Sequence, residues 1–372
     1  MDFTNFSAIE FNIGNKRHLR LYYQTKDKVI RESSFEAGIG WFIRGDGVVA
    51  KNAKENSPIT ATRWISNNTV HCPGTYTSSG TTWQPASPLR INKVISVSAD
   101  SYLAIACPGQ DDKTLRLFYQ EESAGNPIRE VKFKKGTTTW TLQSTKISDA
   151  IAKTSFSIVS AGKTGNVRIY FEDTNHMLRV SLWSAEGGQW LPSKTIEDHE
   201  LVPNAPISAV CWYAGQTTDI EELRIRVYTI LKSQPTVRGI NELARNGEDW
   251  DDPRCIGVVL SGDPHKSALT ACRDKSTDSS DPISIFYQPH PKIIDVILPG
   301  AHHDIVCETK PKGIPISFGS HSSAGDASTA GNTGGSTGGR ATTGPSGAAA
   351  VSEADIQQLN SIVNDLRGAL PP

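Results

Sequence analysis

Five six-residue runs in this chain repeat one alternating pattern: LRLYYQ (19–24), LRLFYQ (115–120), VRIYFE (167–172), IRVYTI (225–230) and ISIFYQ (283–288). Their starts lie 96, 52, 58 and 58 residues apart. The first gap is about two periods and holds one degenerate unit, SPITATRWISNNTVHCPG (57–74). Period-two runs rich in β-branched and aromatic residues, divided by turn residues, read as strands. Their recurrence about every 50 residues reads as a repeat architecture, in which each unit buries its faces against its neighbours.

Each unit has one internal order. A first run carries small residues, as in SAIEF, SYLAIAC, FSIVSAG, ISAVCW and SALTAC. The alternating run follows, then a shorter run such as VIRE, PIRE, MLRV or TVRG. A Trp closes five of the units: Trp41, Trp83, Trp140, Trp190 and Trp250. About four strands per unit make one blade of a β-propeller. Unit starts near residues 8, 59, 103, 157, 207 and 268 predict an all-β, six-bladed propeller of four-stranded blades over residues 1–318. The run HHDIVCETKPKGIPISF (302–318) either finishes the last blade or closes the ring, which leaves a count of seven open.

The composition changes after Phe318. Residues 319–350 are Gly, Ser, Thr and Ala with almost no large apolar side chain. Such a segment cannot offset its ordering entropy by burial, and a flexible, disordered linker is expected. Residues 351–372 read as a short amphipathic C-terminal helix, capped by Ser352, with Ile356, Leu359, Val363 and Leu366 on one face. Self-association, docking on another partner and a frayed tail all stay open for it.

A formal net charge of −1 gives no basic excess to draw the chain to nucleic acid or a membrane surface. No run of about 18 apolar residues suggests a membrane span. The opening MDFTNFSAIEFNIGNKRH has no basic region followed by an apolar one, so no secretory signal is expected and the cytoplasm is the default location. Cys107, Cys211, Cys272 and Cys307 end strand-like runs and read as buried, reduced thiols. HHD (302–304) lacks further ligands at metal spacing. No cofactor and no metal is implied.

Arg20 sits inside LRLYYQ, on the face that also carries Tyr22 and Gln24. Stacked blades cover both faces, so a buried Arg needs a partner or a wet pocket. Glu32, on the next run, is its natural partner, and Arg116 with Glu130 repeats the pair. A guanidinium, a carboxylate and an indole suit a neutral sugar. Arg donates to ring and hydroxyl oxygens, Glu accepts from vicinal hydroxyls, and Trp covers C–H groups. A structural ion pair with a blade-anchoring Trp is the alternative reading.

With its small-residue strand, alternating run, IRE and Trp, the repeat resembles the fungal fucose-specific lectins, six-bladed propellers of the orange-peel mushroom type. The similarity covers about residues 8–310. It implies a non-enzymatic lectin for fucosylated glycans and glycoproteins, with sites between adjacent blades; a homo-oligomer is open through self-association of the C-terminal helix. It also implies that unconventional release or cell-wall association is open to the chain. Carried over by position, one site has Arg20, Glu32 and Trp41, with Trp64 joining from the next blade. A second has Arg116, Glu130 and Trp140.

The other blades depart from the pattern. The fourth keeps Arg168 and Trp190 but has Val180 for Glu, with Glu172 nearby for a weak third site. The fifth keeps Arg226 and Trp250 but has Gly239 for Glu. The sixth has Ser284 for Arg and Asp295 for Glu, and the second has His71 near the Arg position. Two rivals remain. One is a protein-binding propeller scaffold. The other is a sialidase-like glycosidase, which SFEAGIGW (34–41) suggests weakly and which needs acid–base groups converging on one bond.

Overall fold

A computed structural model describes residues 5–13, 16–62, 64–66, 69–71, 91, 93–107, 114–134, 137, 139–160, 164–213, 222–232, 239–258, 268–273, 283–290, 293–298 and 301–306. The expected linker and C-terminal helix, Trp83 and Cys307 lie outside the described residues.

The first sheet joins β1 (Phe6–Ile13), β2 (Lys16–Gln24), β3 (Ile30–Glu36), β4 (Gly40–Phe42) and β5 (Val48–Ala50). A short hairpin follows, β6 (Trp64–Ser66) with β7 (Thr69–His71). The third unit is β8 (Leu103–Ala106), β9 (Thr114–Gln120), β10 (Ile128–Lys134) and β11 (Thr141–Ile147). The fourth is β12 (Phe156–Ser160), β13 (Val167–Glu172), β14 (Met177–Ser184), β15 (Gln189–Trp190) and β16 (Lys194–Glu200). The fifth is β17 (Ser208–Tyr213), β18 (Leu223–Thr229), β19 (Gly239–Asn246), β20 (Asp249–Trp250) and β21 (Arg254–Val258). The sixth is β22 (Leu269–Cys272), β23 (Ser284–His290), β24 (Ile293–Leu298) and β25 (Ala301–Val306). Each large sheet is an antiparallel meander. Where five strands occur, the fourth position is split in two, as β4 and β5 both pair with β3.

The period-two pattern of β2 sends its side chains to two different neighbours. Leu19, Leu21 and Tyr23 pack with Trp41 against Cys272 and Phe286 of the sixth blade. On the opposite face Tyr22 packs with Ile9, Phe11, Ile59 and Ala61, at the second blade. Leu19 and Leu21 are fully buried, and each such side chain is worth about 1.5–3 kcal/mol.

Six segments line the central channel: residues 5–7, 58–60, 102–105, 155–158, 206–209 and 268–271. They fall in or beside the first run of each unit, where Ser, Ala and Thr stand among larger side chains such as Phe6, Leu103 and Phe156. The serines also bond across the blades. Ser7 Oγ accepts the Ala61 N–H at 3.0 Å, Ser157 Oγ that of Ala209 at 2.9 Å, and Ser208 Oγ that of Ala271 at 2.8 Å. All three serines stand opposite a Tyr of the next strand, Tyr22, Tyr170 and Tyr228. The ring closes where β22 packs on β1. The start of the 302–318 run forms most of β25, so it finishes the sixth blade.

Candidate functional site

At the junction of the third and fourth blades, Arg116 and Glu130 come from one sheet. Arg116 stands opposite Lys132, and Glu130 opposite Phe118. This diagonal puts both side chains on one face, with Arg116 Nη1 3.1 Å from Glu130 Oε1. Opposite Glu130 the register of β11 shifts, Lys146 facing Arg129 and Leu142 facing Val131, and such a bulge re-aims side chains of the strand that carries it, here the one with Thr145. Both charges are almost fully buried. Glu130 Oε2 also accepts from Thr145 Oγ1 at 2.7 Å and from Trp190 Nε1 at 3.1 Å. The Arg116 guanidinium lies over the Trp183 ring, 4.2 Å from its centroid, within cation–π range. The fourth blade thus covers the pair with two indoles. A buried ion pair persists when further hydrogen bonds support it, and here both go to Glu130 Oε2.

The first junction repeats the pair. Arg20 Nε is 3.3 Å from Glu32 Oε1, and Ser34 Oγ donates to the same oxygen at 2.9 Å. Arg20 lies over Phe11, 5.2 Å from the ring centroid. Gly47 holds the backbone of this carboxylate, since its carbonyl accepts the Glu32 N–H at 2.8 Å. Its φ of +66° is left-handed, and a Cβ there would come within 2.6 Å of Ile43. Trp64 opens β6 opposite His71, at the start of the degenerate second blade.

The closing tryptophans fall elsewhere than expected. Trp41 stands opposite Phe35, which is opposite Leu19. It therefore shares the face of Leu19, away from Arg20 and Glu32, and packs edge-on to Phe286 at 5.8 Å. Trp140 packs tilted against Phe133, their ring centroids 5.3 Å apart, and Phe133 is opposite Leu115, so it too faces away from its own Arg–Glu pair. The grouping of Trp41 with Arg20, and of Trp140 with Arg116, is corrected accordingly. Among the described residues, Trp41, Trp190 and Trp250 each face the preceding junction. Trp190 belongs with Arg116 and Glu130 rather than with Arg168, and Trp250 belongs with Arg168 rather than with Arg226. Counting strand parity from Glu32 to Phe35 would have revealed the shift. Trp183, which no closing-Trp pattern marks, was missed altogether.

Register also settles the degenerate blades. Val180 stands opposite Tyr170, as Glu32 stands opposite Tyr22, so the fourth blade does carry Val at the Glu position. Glu172 does not replace the acid, because its carboxylate is held by His176 Nδ1 at 2.5 Å. In the fifth blade the Glu position belongs to Glu242, opposite Tyr228, and not to Gly239. Glu242 accepts from Tyr228 Oη at 2.9 Å and pairs with Arg254 at 3.0 Å. Arg226 donates to Asn246 Oδ1 at 3.1 Å and lies over Trp212. In the sixth blade Ser284 does replace Arg, and its hydroxyl bonds Glu10 and Arg17. Asp295 stands opposite Tyr287, one place from the Glu position, which Val296 fills opposite Phe286.

The family model described as fungal fucose-specific lectin matches residues 6–225. The fucose-specific lectin g276 of Arthrobotrys oligospora is 22% identical over 205 residues, 55% of this chain and 42% of that protein. The chain thus spans less than half the length of that curated relative. The six-bladed β-propeller lectin of Aleuria aurantia matches with a TM-score of 0.58 at 19% identity, over 84% of this chain and 97% of that one. A form of that lectin in complex with α-methyl-L-fucoside gives 0.59 at 19%, over 86% and 95%. AofleA of Arthrobotrys oligospora gives 0.60 at 17%, over 86% of both chains. At these identities the structural likeness is one of fold.

Proposed function

The chain belongs to the fungal fucose-specific lectin family, and on that premise we propose that it is a non-enzymatic lectin taking fucose-bearing glycans and glycoproteins at the junctions between blades. The observation that carries the reading is the buried Arg116–Glu130 pair, bonded across the junction by the Trp190 indole. Its parts match a neutral deoxy sugar. The guanidinium donates to ring and hydroxyl oxygens. The carboxylate accepts from hydroxyls through charge-assisted bonds. The indoles offer flat apolar faces to C–H groups and a methyl. Relatives solved with α-methyl fucoside support fucose as the sugar.

Trp183 and Trp190 are half-buried while the charges lie beneath them. A sugar meets the indoles first, and Trp183 moves off the guanidinium as Arg116 turns to the ligand. Arg20 and Glu32 form the second pocket. Each acid is already tied to an arginine at its own junction, which supports binding rather than acid–base turnover. Several such pockets on one ring raise avidity on a dense glycan surface.

The test is a fucosylated-glycan array with calorimetry on the wild type, Arg20→Ala, Arg116→Ala and the double variant, each checked for folding by melting. Partial loss is expected for each single change and near-complete loss for the double. Unchanged binding in a folded double variant overturns the assignment, and turnover of an aryl fucoside overturns the non-enzymatic part.

A further inference from the structure

The junction of the fourth and fifth blades has the register of the third-to-fourth junction and a different charge. Arg168 stands opposite Leu182, and Val180 opposite Tyr170. These are the places of Arg116 and Glu130. On the facing blade Trp250 pairs with Arg245, as Trp190 pairs with Trp183. The acid has become Val180, and the stacking indole has become Arg245. An arginine, a carboxylate and two indoles are replaced by two arginines, a valine and one indole.

These groups line a cleft of about 340 Å³, the size of a small-molecule site. Arg168 is only 8% exposed, and Tyr170 is fully buried. Among the described residues, the Arg168 guanidinium makes no hydrogen bond or ion pair, and the Tyr170 hydroxyl has no partner. In the fifth blade the matching hydroxyl, Tyr228, donates to Glu242, so Val180 is what leaves Tyr170 without an acceptor. Lys194 adds a third cation at the rim, and the exposed Glu248 is the acid there. Arg245 Nε donates to the Glu248 carbonyl at 3.1 Å. Burial, and then the Arg168 charge, pull the Arg245 guanidinium below its ordinary range, with Tyr170, Glu248 and Asp249 opposing.

A buried cation without a counter-charge is costly, and one entering anion relieves several such groups together. We propose that this cleft binds an anionic saccharide, its carboxylate or sulfate occupying the place of the missing Glu, between Arg168, Arg245 and the Tyr170 hydroxyl, and its ring lying on Trp250. The proposal uses none of the residues of the Arg116–Glu130 and Arg20–Glu32 pockets, and it stands or falls apart from them.

The test titrates the full chain at low ionic strength with methyl β-glucuronide, methyl α-sialoside, galactose 6-sulfate, methyl galactoside and inorganic sulfate, followed by calorimetry. At least one acidic sugar is expected to bind while the neutral one does not, and the carboxylate and sulfate arms identify the anion. Affinity is expected to fall at least tenfold in Arg168→Met, Arg245→Gln and Val180→Glu, and to stay unchanged in Arg116→Ala. If Arg168→Met does not fold, Val180→Glu, which restores the acid of the sibling junction, decides. No binding of any acidic sugar, unchanged binding in the folded variants, or inorganic sulfate bound as tightly as the sugars overturns the proposal.

Discussion

The third-to-fourth and fourth-to-fifth junctions place their residues in the same register, yet one is a closed ion pair and the other an open cationic cleft. At the first, Glu130 gathers Arg116, Thr145 and Trp190. At the second, Val180 gathers nothing polar, and Arg168 and Tyr170 keep unspent donors. The carboxylate is therefore what closes a junction, because one acceptor draws donors from both blades. The blade fixes where these side chains stand, while one residue decides whether they face each other or an open cleft.

The sharpest way to break this comparison is to remove the acid. Glu130→Ala leaves Arg116 buried without its counter-charge, and a loss of about 3–5 kcal/mol is expected. Arg168→Met deletes a cation that already lacks one, and a neutral or stabilising change is expected. Chemical denaturation of both variants measures the contrast. Equal losses would mean that the Glu130 contacts do not organise the junction.

A smaller difference should separate the two indoles. Trp190→Phe keeps a ring but deletes the N–H donated to Glu130, and a hydrogen bond to a charged group is worth about 1.5–3 kcal/mol. Trp250→Phe deletes no such bond, so it should cost less than half as much in the same denaturation assay. The first junction adds a backbone version. Gly47→Ala forces a Cβ to 2.6 Å from Ile43 at a positive φ, which costs on the order of 1–3 kcal/mol. It should also weaken sugar binding that depends on Glu32, whose N–H bonds the Gly47 carbonyl. Full stability with full binding in this variant would show that Gly47 does not position the acid.

These contrasts also mark what the sequence made legible. The blade was readable because its causes are local. Alternation sets the strand, a first run with small residues marks the channel side, and turn residues divide the runs. The Arg–Glu pairing was readable for the same reason, since both partners sit on adjacent strands of one hairpin. The indoles were not, because a junction joins two blades and nothing adjacent in sequence says which face a closing Trp takes after its turn. Glu242 was missed because TVRG (236–239) imitates the IRE run, whereas the strand enters at Gly239 and pairs three residues further on. Asp295 was misplaced by one residue, since Val296 is the residue that stands opposite Phe286.

The smallest expected effect is a slope with pH at Glu172, a position filled by Gln24 in the first blade and Gln120 in the third. Burial pushes the Glu172 carboxyl above its ordinary 4.5, outweighing the opposing contact with His176, while Asp173 adds to the rise. The folded chain therefore holds this proton more tightly than the unfolded chain does. Stability should fall as pH climbs from about 4.5 through the raised folded value, then level off. Glu172→Gln copies the sibling blades and removes the titration. The gap in melting temperature between variant and wild type should widen with pH across that window and stay constant above it. Parallel curves would mean that the His176 contact fully offsets burial, and that this blade tolerates its extra acid as well as its siblings tolerate glutamine.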